Sequence, residues 1–426
     1  MEEQKMAQLV AVDMGYGHQR AAHALKFLSG GEVINANNYP GISKAEKASW
    51  KTQTGVYEKI SALKKVPILG MAIFSVMDLF QDIPNFYPRR DLSARTAQLS
   101  FFFDKVKKGM GRNLINRLKK SNLPLVSTFP VPVYFAEYYK FNQPLYCVVC
   151  DADISRFWAP IHPKKSKAIY LATTARAAKR LTMYGVKEDR IKITGFPLPT
   201  ENIGGPDKTI LKKDLAVRLR KLDVSGAFKD KWRPDISYEL PEADAKRSKG
   251  PITLIFAVGG AGAQAELAVK MLISLKNDLR KNRYKIILSA GVRAEVAKIF
   301  RSSINNLRVP NVEVLYAPTK DEYFTLFNKT LRNVDILITK PSELSFFAGL
   351  GLPILMTEPV GAQEIANRDW LLSIGAGIDA LNFKYTHEWL RDMLHDGRFA
   401  RAAFLGYREA ETMGAYNIEN IIKEAR

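Results

Sequence analysis

The 426-residue sequence predicts an α/β chain in two halves, each built around a parallel sheet. Three observations predict it. Short apolar runs alternate with helical stretches as far as residue 197, a polar stretch at 198–250 interrupts them, and the alternation restarts at Ile252. Several apolar runs end in glycine turns or polar loops, where the C-terminal ends of parallel strands take their ligands.

In order along the chain, residues 9–12 read as a strand ended by Asp13 and a turn at Gly15 and Gly17, and 19–28 as the helix behind it. Residues 123–127, 145–150, 168–172 and 190–194 read as further strands, with a helix over 175–184. Gly195-Phe196-Pro197 closes this half. Residues 198–250 are rich in Pro, Gly, Lys and Arg and read as a linker with some helix at 210–222. In the second half, 252–258 reads as a strand running into Gly259-Gly260-Ala261-Gly262, with a helix from about Gln264. Strands at 285–289, 312–315, 335–339 and 353–356 follow. The expected organisation is therefore an N-terminal domain at 1–197, a linker at 198–250 and a C-terminal domain at 251–426, with a cleft between the two domains.

Composition narrows the function. Hydrophobic residues at 46% and charged residues at 25% exclude a disordered chain, and no collagen-like or heptad period is present. Cys147 and Cys150, the only cysteines, exclude a disulfide scaffold and a cysteine-rich zinc site. Their C-x-x-C lies in an apolar run and reads as two core thiols before a redox pair. The net charge is +21, of which residues 1–200 hold +15, and residues 44–120 carry 16 basic against 6 acidic side chains. Such a surface suits anionic lipid head groups or nucleic acid. The apolar run at 66–77 is too short to span a bilayer but long enough to lie at its surface, and Phe101-Phe102-Phe103 adds apolar weight. A membrane partner is therefore expected, and no nucleic acid. The start of the chain lacks the basic and long apolar regions of a signal peptide, so a cytoplasmic, peripheral location is expected.

Five clusters have the residue types for chemistry. His18 follows the glycine turn at a helix start, where an imidazole suits general-base work; the plainer reading is a cap. Gly259, Gly260, Gly262, Ala263 and Gln264 follow a strand and suit phosphate binding by backbone amides, or are simply a tight turn. Lys340, Ser342 and Glu343 follow another strand, with Pro341 at a helix start; they suit a diphosphate and sugar hydroxyls, or ordinary capping. Gln363 and Glu364, after Pro359, have groups for ribose or sugar hydroxyls, or are simply exposed polar residues of a loop and helix start. Asp151 and Asp153 form a D-x-D; such spacing can hold a divalent metal, but a polar loop lining the cleft is the preferred reading.

These motifs, in this order, resemble the GT-B glycosyltransferases of the monogalactosyldiacylglycerol synthase and processive diacylglycerol glucosyltransferase type, glycosyltransferase family 28-like. Gly15-Tyr16-Gly17-His18 is similar to the family's turn, whose His is the proposed base. Ser127-Thr128-Phe129-Pro130, the stretch from Asp151 through Asp153 to Trp158, and Thr194-Gly195-Phe196-Pro197 resemble acceptor-side and interdomain motifs. Gly259 to Gln264, Lys340-Pro341-Ser342-Glu343 and Pro359 to Glu364 resemble the donor-side ones. The resemblance implies two Rossmann-like domains whose parallel sheets face a central cleft. It also implies a uridine-diphosphate sugar donor, no metal or other cofactor, and a membrane lipid acceptor. Departures mark a divergent branch. Phe129 and Ser155 replace family histidines, Ser342-Glu343 replaces two glycines, and the ribose-binding Glu would fall near Phe346, three residues after Glu343.

The expectation is thus a hexosyltransferase moving a sugar from a nucleotide diphosphate sugar to a lipid hydroxyl at the cytoplasmic membrane face, with His18 as base. Two alternatives stay open: a nucleotide-sugar 2-epimerase-like enzyme, and an inactive homologue that binds membrane or nucleotide.

Overall fold

The structure, a computed structural model, describes residues 5–50, 82–244, 250–259 and 264–425. The apolar run at 66–77, much of the basic stretch, and Gly260, Ala261, Gly262 and Ala263 lie outside the described residues.

Among the described residues, twelve strands form two six-stranded sheets, and every pairing is parallel. The first holds β1 (Gln8–Ala11), β2 (Ile34–Asn35), β3 (Leu125–Ser127), β4 (Leu145–Val148), β5 (Ile169–Ala172) and β6 (Ile191–Ile193), in the order β2-β1-β3-β4-β5-β6. The second holds β7 (Ile252–Ala257), β8 (Tyr284–Gly291), β9 (Val312–Tyr316), β10 (Ile336–Thr339), β11 (Ile354–Met356) and β12 (Gly377–Asp379), in the order β12-β11-β10-β7-β8-β9. The central strands are buried along their whole length and mostly apolar, as suits strands covered by helices on both faces. The α/β class expected from the alternation is the class observed. Two edge strands, β2 and β12, were not expected.

The chain forms two compact units. Met1–Leu198, Gly361–Ala366 and Met413–Arg426 make the first, and Pro199–Val360 with Asn367–Thr412 makes the second. This division differs in three ways from the expected 1–197, 198–250 and 251–426, the third being that Gly361–Ala366 falls in the first unit. First, the described residues between Pro199 and Gly250 belong to the second unit. Helix Thr209–Leu222 buries Leu211, Leu215, Leu219 and Leu222 along one stripe, and burying each leucine contributes about 1.5–3 kcal/mol. Helix Ala227–Glu239 adds Phe228 and Ile236 to the same core. Second, the terminal helix Gly414–Glu424 returns to the first unit. Ala415, Ile418 and Ile422 pack with Leu9, Val126 and Leu171. The Asn417 amide donates to the Thr194 carbonyl at 3.0 Å. At Gly414 a Cβ would lie 2.2 Å from the Phe196 oxygen, so only glycine admits this approach.

Among the described residues, no helix is long and apolar enough to cross a membrane. Cys147 and Cys150 are both buried core residues, and burial pushes the Cys147 thiol well up.

Candidate functional site

In each sheet the strand order reverses direction at one point, and chain segments leaving the two adjacent strands diverge there, opening a crevice at their C-terminal ends. In the first sheet the reversal lies between β1 and β3. In the second it lies between β7 and β10; counted from β7, the order is the 3-2-1-4-5-6 of doubly wound nucleotide-binding sheets.

At the first reversal, Gly15 ends the turn after β1 with φ 111, a conformation that side chains with a Cβ rarely adopt, and helix Tyr16–Ala24 begins behind it. Asn37 fixes the turn from the side: its Oδ1 accepts from the Asp13 N–H at 3.0 Å and its amide donates to the Asp13 carbonyl at 3.1 Å. Gly17 and His18 fall in the first helical turn, whose amides lie outside the i→i−4 ladder. The Thr128 hydroxyl, just past β3, donates to the His18 carbonyl at 2.9 Å and so ties the two turns together. The half-buried His18 ring meets Phe129 edge-on with centroids 4.7 Å apart and lies 5.9 Å from the buried Trp158. Phe157 stands 6.4 Å beyond Phe129. The base candidate is therefore bordered by rings, one of which is the Phe129 that departs from the family pattern.

The loop carrying Asp151, Asp153 and Trp158 is pinned throughout. Thr173 and Thr174 hydroxyls donate to the carbonyls of Asp151 and Ala152, and Tyr184 donates to that of Ile154. The Arg156 guanidinium donates to the carbonyls of Ser93, Ala94, Ala159 and Pro160. Asp153 departs from the expected ligand-facing role. Its carboxylate is 1% exposed and pairs with Arg180 at 2.8 and 2.9 Å and with Arg176 at 2.8 Å. Burial works against the Arg180 charge, but the hydrogen bond and the charge of Asp153 outweigh it and hold the guanidinium pKa above its ordinary value. Asp153 thus holds the loop against helix Ala175–Met183, and the half-buried Asp151 is the D-x-D carboxylate outside that pair. Among the described residues, no three His, Cys, Asp or Glu side chains gather as a metal-binding set.

At the second reversal, Gly259 follows β7 and Lys340 follows β10. A Cβ on Gly259 would lie 2.6 Å from Lys340 Cε and 3.5 Å from Nζ. The lysine therefore crosses directly over the glycine and sets its ammonium at the start of the turn. The Ser342 N–H donates to the Lys340 carbonyl at 2.7 Å, and the Ser345 N–H to that of Ser342 at 2.9 Å. Glu343, 8% exposed, opens a 3₁₀ helix, Glu343–Leu350. In a 3₁₀ helix residues three apart eclipse one another, so Glu343 and Phe346 share a face. Phe346 packs on Trp370 with centroids 4.9 Å apart. The Ser345 hydroxyl, fully buried, has no hydrogen-bond partner among the described residues.

Arg218, from the stretch expected to be a linker, anchors this segment. It is buried and donates to the carbonyls of Leu350 and Gly351 at the end of the 3₁₀ helix, of Leu331 at the end of helix Lys320–Leu331, and of Val334. Two helix C-termini aimed at one cation are favourable, though burial pulls the Arg218 pKa down from its ordinary value. Burial pushes the neighbouring Asp335 carboxyl up, opposed by Lys221 at 3.1 Å.

Gln264 follows the undescribed Gly260, Gly262 and Ala263, and its amide is engaged with Thr357 and Glu358. Gln363, half-buried, and Glu364, 9% exposed, open helix Ala362–Ser373. Both belong to the Gly361–Ala366 segment of the first unit, whereas Gly259, Gln264, Lys340, Ser342 and Glu343 belong to the second. Sequence reasoning placed Phe157 and Ser345 inside motifs but gave them no role, and it missed Thr357, two residues before Pro359.

No protein-family profile matches the chain. Two curated proteins are similar over 269 residues, both described as processive diacylglycerol beta-glucosyltransferase: one from Staphylococcus carnosus, 24% identical, and one from Staphylococcus saprophyticus, 22% identical. Each match covers 62% of this chain and 57% of the relative, so the chain spans little more than half the length of the relatives it matches. Similar solved structures include Acinetobacter baumannii MurG, 12% identical over 98% of this chain and 99% of that one with a TM-score of 0.49. The UDP co-structure of MnaA from S. aureus is 12% identical over 99% and 96%, with a TM-score of 0.48.

Proposed function

We propose that this divergent GT-B chain, glycosyltransferase family 28-like, transfers a sugar from a uridine-diphosphate sugar to a lipid hydroxyl, working as a peripheral protein at the cytoplasmic face of a membrane. The observation that carries the reading is the coincidence of motif and topology. His18 and Phe129 occupy the strand-order reversal of one sheet, and Gly259 and Lys340 occupy that of the other.

In this reading His18 takes the proton of the acceptor hydroxyl as its oxygen bonds to the sugar's anomeric carbon. The bond from that carbon to the diphosphate breaks, and UDP leaves with the electron pair. Lys340 and the backbone amides near Gly259 and Ser342 meet the charge on the departing diphosphate, a preorganised stabilisation needing no rearrangement during the reaction. Glu343 accepts from ribose hydroxyls in place of the glutamate that the family pattern puts near Phe346; the shared 3₁₀ face supports that substitution. Gln363 and Glu364 are assigned to sugar hydroxyls. Gly15, Gly17, Asp151 and Trp158 frame the acceptor side, Asp153 supporting it from beneath. The basic, apolar stretch at 44–120 is assigned to the anionic lipid surface.

The test is a thermal-shift panel with UDP, GDP, ADP and TDP, followed by UDP release with and without diacylglycerol vesicles. A ligand held at about 100 times its dissociation constant adds about 2.7 kcal/mol to the folded state. UDP-selective stabilisation and vesicle-dependent UDP release are the expected results. Conversion of the donor sugar without acceptor would replace transfer by epimerisation, and no response to any nucleotide would leave an inactive homologue.

A further inference from the structure

Gln264 was expected to touch the donor, but its surroundings give it a different task. It stands immediately before helix Ala265–Ser274 with φ 69 and ψ 16. A side chain in this left-handed region meets a steric cost that glycine escapes. What the side chain does there must offset that cost. Its Nε2 donates to the Glu358 carbonyl at 3.0 Å, and its Oε1 accepts from the Thr357 hydroxyl at 2.5 Å. Both partners lie just past the end of β11.

Thr357 belongs to a longer chain of bonds. Its N–H donates to the carbonyl of Thr339, the last residue of β10, at 3.0 Å. The Thr339 hydroxyl donates to the carbonyl of Ala257, the last residue of β7, at 3.2 Å. Gln264 lies a few residues further along the segment that leaves β7, so its amide completes a circuit. The C-terminal ends of β7, β10 and β11 are joined to one another, and the circuit carries Gly259 and Lys340 on its arms.

We infer that Gln264 is a positioning residue for the donor site: its side chain latches the start of helix Ala265–Ser274 to the turn after β11 and so fixes the place of Gly259 and Lys340. The inference rests on the nucleotide-sugar reading above. The latch acts through the spacing of the three strand ends, because the amide's two best-placed polar atoms are already engaged.

Glycine substitution separates this role from a merely structural one. Gln264→Gly removes the latch and also removes the left-handed strain, so its thermal midpoint should fall less than that of Gln264→Ala. Loss of a hydrogen-bonded anchor predicts UDP binding about tenfold weaker by titration calorimetry. It also predicts faster hydrogen exchange at the amides of residues 265–267 and 357–358 without ligand. Gln264→Ala keeps the strain and loses the latch, so both its midpoint and its UDP affinity should fall. Thr357→Val cuts the same latch from the other side, and the double variant Gln264→Gly with Thr357→Val should bind UDP no worse than either single change. If Gln264→Gly binds UDP as tightly as the wild type, or leaves the exchange of those amides unchanged, the latch is overturned while the donor reading stands. A wild-type chain that binds no UDP overturns the donor reading and the latch's purpose with it.

Discussion

At the strand-order reversal of the first sheet, His18 is bordered by the rings of Phe129 and Trp158. At the reversal of the second, Gly259 lies under the charged side chain of Lys340, with Glu343 and hydrogen-bonded threonines beside it. The same topological device is furnished once with rings and once with charge. The difference matches two tasks in the proposed transfer. Packed rings can hold the imidazole of a base in one orientation. A leaving diphosphate is best met by fixed positive charge and backbone amides. The supports differ as well. The loop carrying Trp158 rests on a buried ion pair between Asp153 and Arg180, whereas the strand ends of the second sheet are joined by neutral hydrogen bonds through Thr339 and Thr357.

The largest expected effect separates the two tasks. His18→Ala should lower turnover by about 10²–10⁴ and leave the dissociation constant for UDP where it was. Equal losses in both would mean that the two reversals do not divide the work. Next comes the support of the first reversal. Asp153→Asn leaves the Arg180 charge buried without its carboxylate, and breaking such a pair costs about 3–5 kcal/mol. Chemical denaturation should register that loss, whereas Thr357→Val in the second unit should cost about 1 kcal/mol, the net worth of one neutral hydrogen bond. Similar values for the two would erase the contrast in how the sites are held. Third, Lys340→Met keeps the chain crossing Gly259 but removes the ammonium. Steady-state kinetics should show kcat/KM down by about 10²–10³, the usual loss for one preorganised donor to developing negative charge. Gly259→Ala should act in the same direction by pushing Lys340 aside, since the new Cβ would lie 2.6 Å from its Cε.

The sequence made most of this framework readable, because buried parallel strands are continuous apolar runs and the glycine turns at their ends stand out. β2 and β12 were not readable: two residues at Ile34–Asn35 and three at Gly377–Asp379 carry no pattern. Residues 198–250 looked like a linker because most of their surface is polar. The leucine stripe of helix Thr209–Leu222 says that one face is buried but not against what, and nothing local reveals that Arg218 reaches four carbonyls 113 to 133 residues away. The same limit hid the return of helix Gly414–Glu424 to the first sheet. Within the sites, residue type showed where chemistry could occur but not which side chains were already engaged. Asp153 and Gln264 have the right chemistry for ligands, and long-range partners claim both.

The smallest effect bears on the residue that most clearly departs from the family pattern. Phe129 meets the His18 ring edge-on, and an aromatic pair of this kind contributes about 0.5–1.5 kcal/mol beyond its buried area. If its task is to hold the imidazole in orientation, Phe129→Leu should lower turnover by about two- to tenfold, the rate equivalent of that range. Phe129→Tyr, which keeps the ring, should restore most of it. UDP affinity should not move in either variant, because Phe129 belongs to the first unit and the diphosphate candidates Gly259 and Lys340 to the second. A tyrosine variant as slow as the leucine one would mean that the ring does not orient His18. A change in UDP affinity would mean that the ring-lined reversal takes part in donor binding, and the division of labour drawn from the two sheets would have to be abandoned.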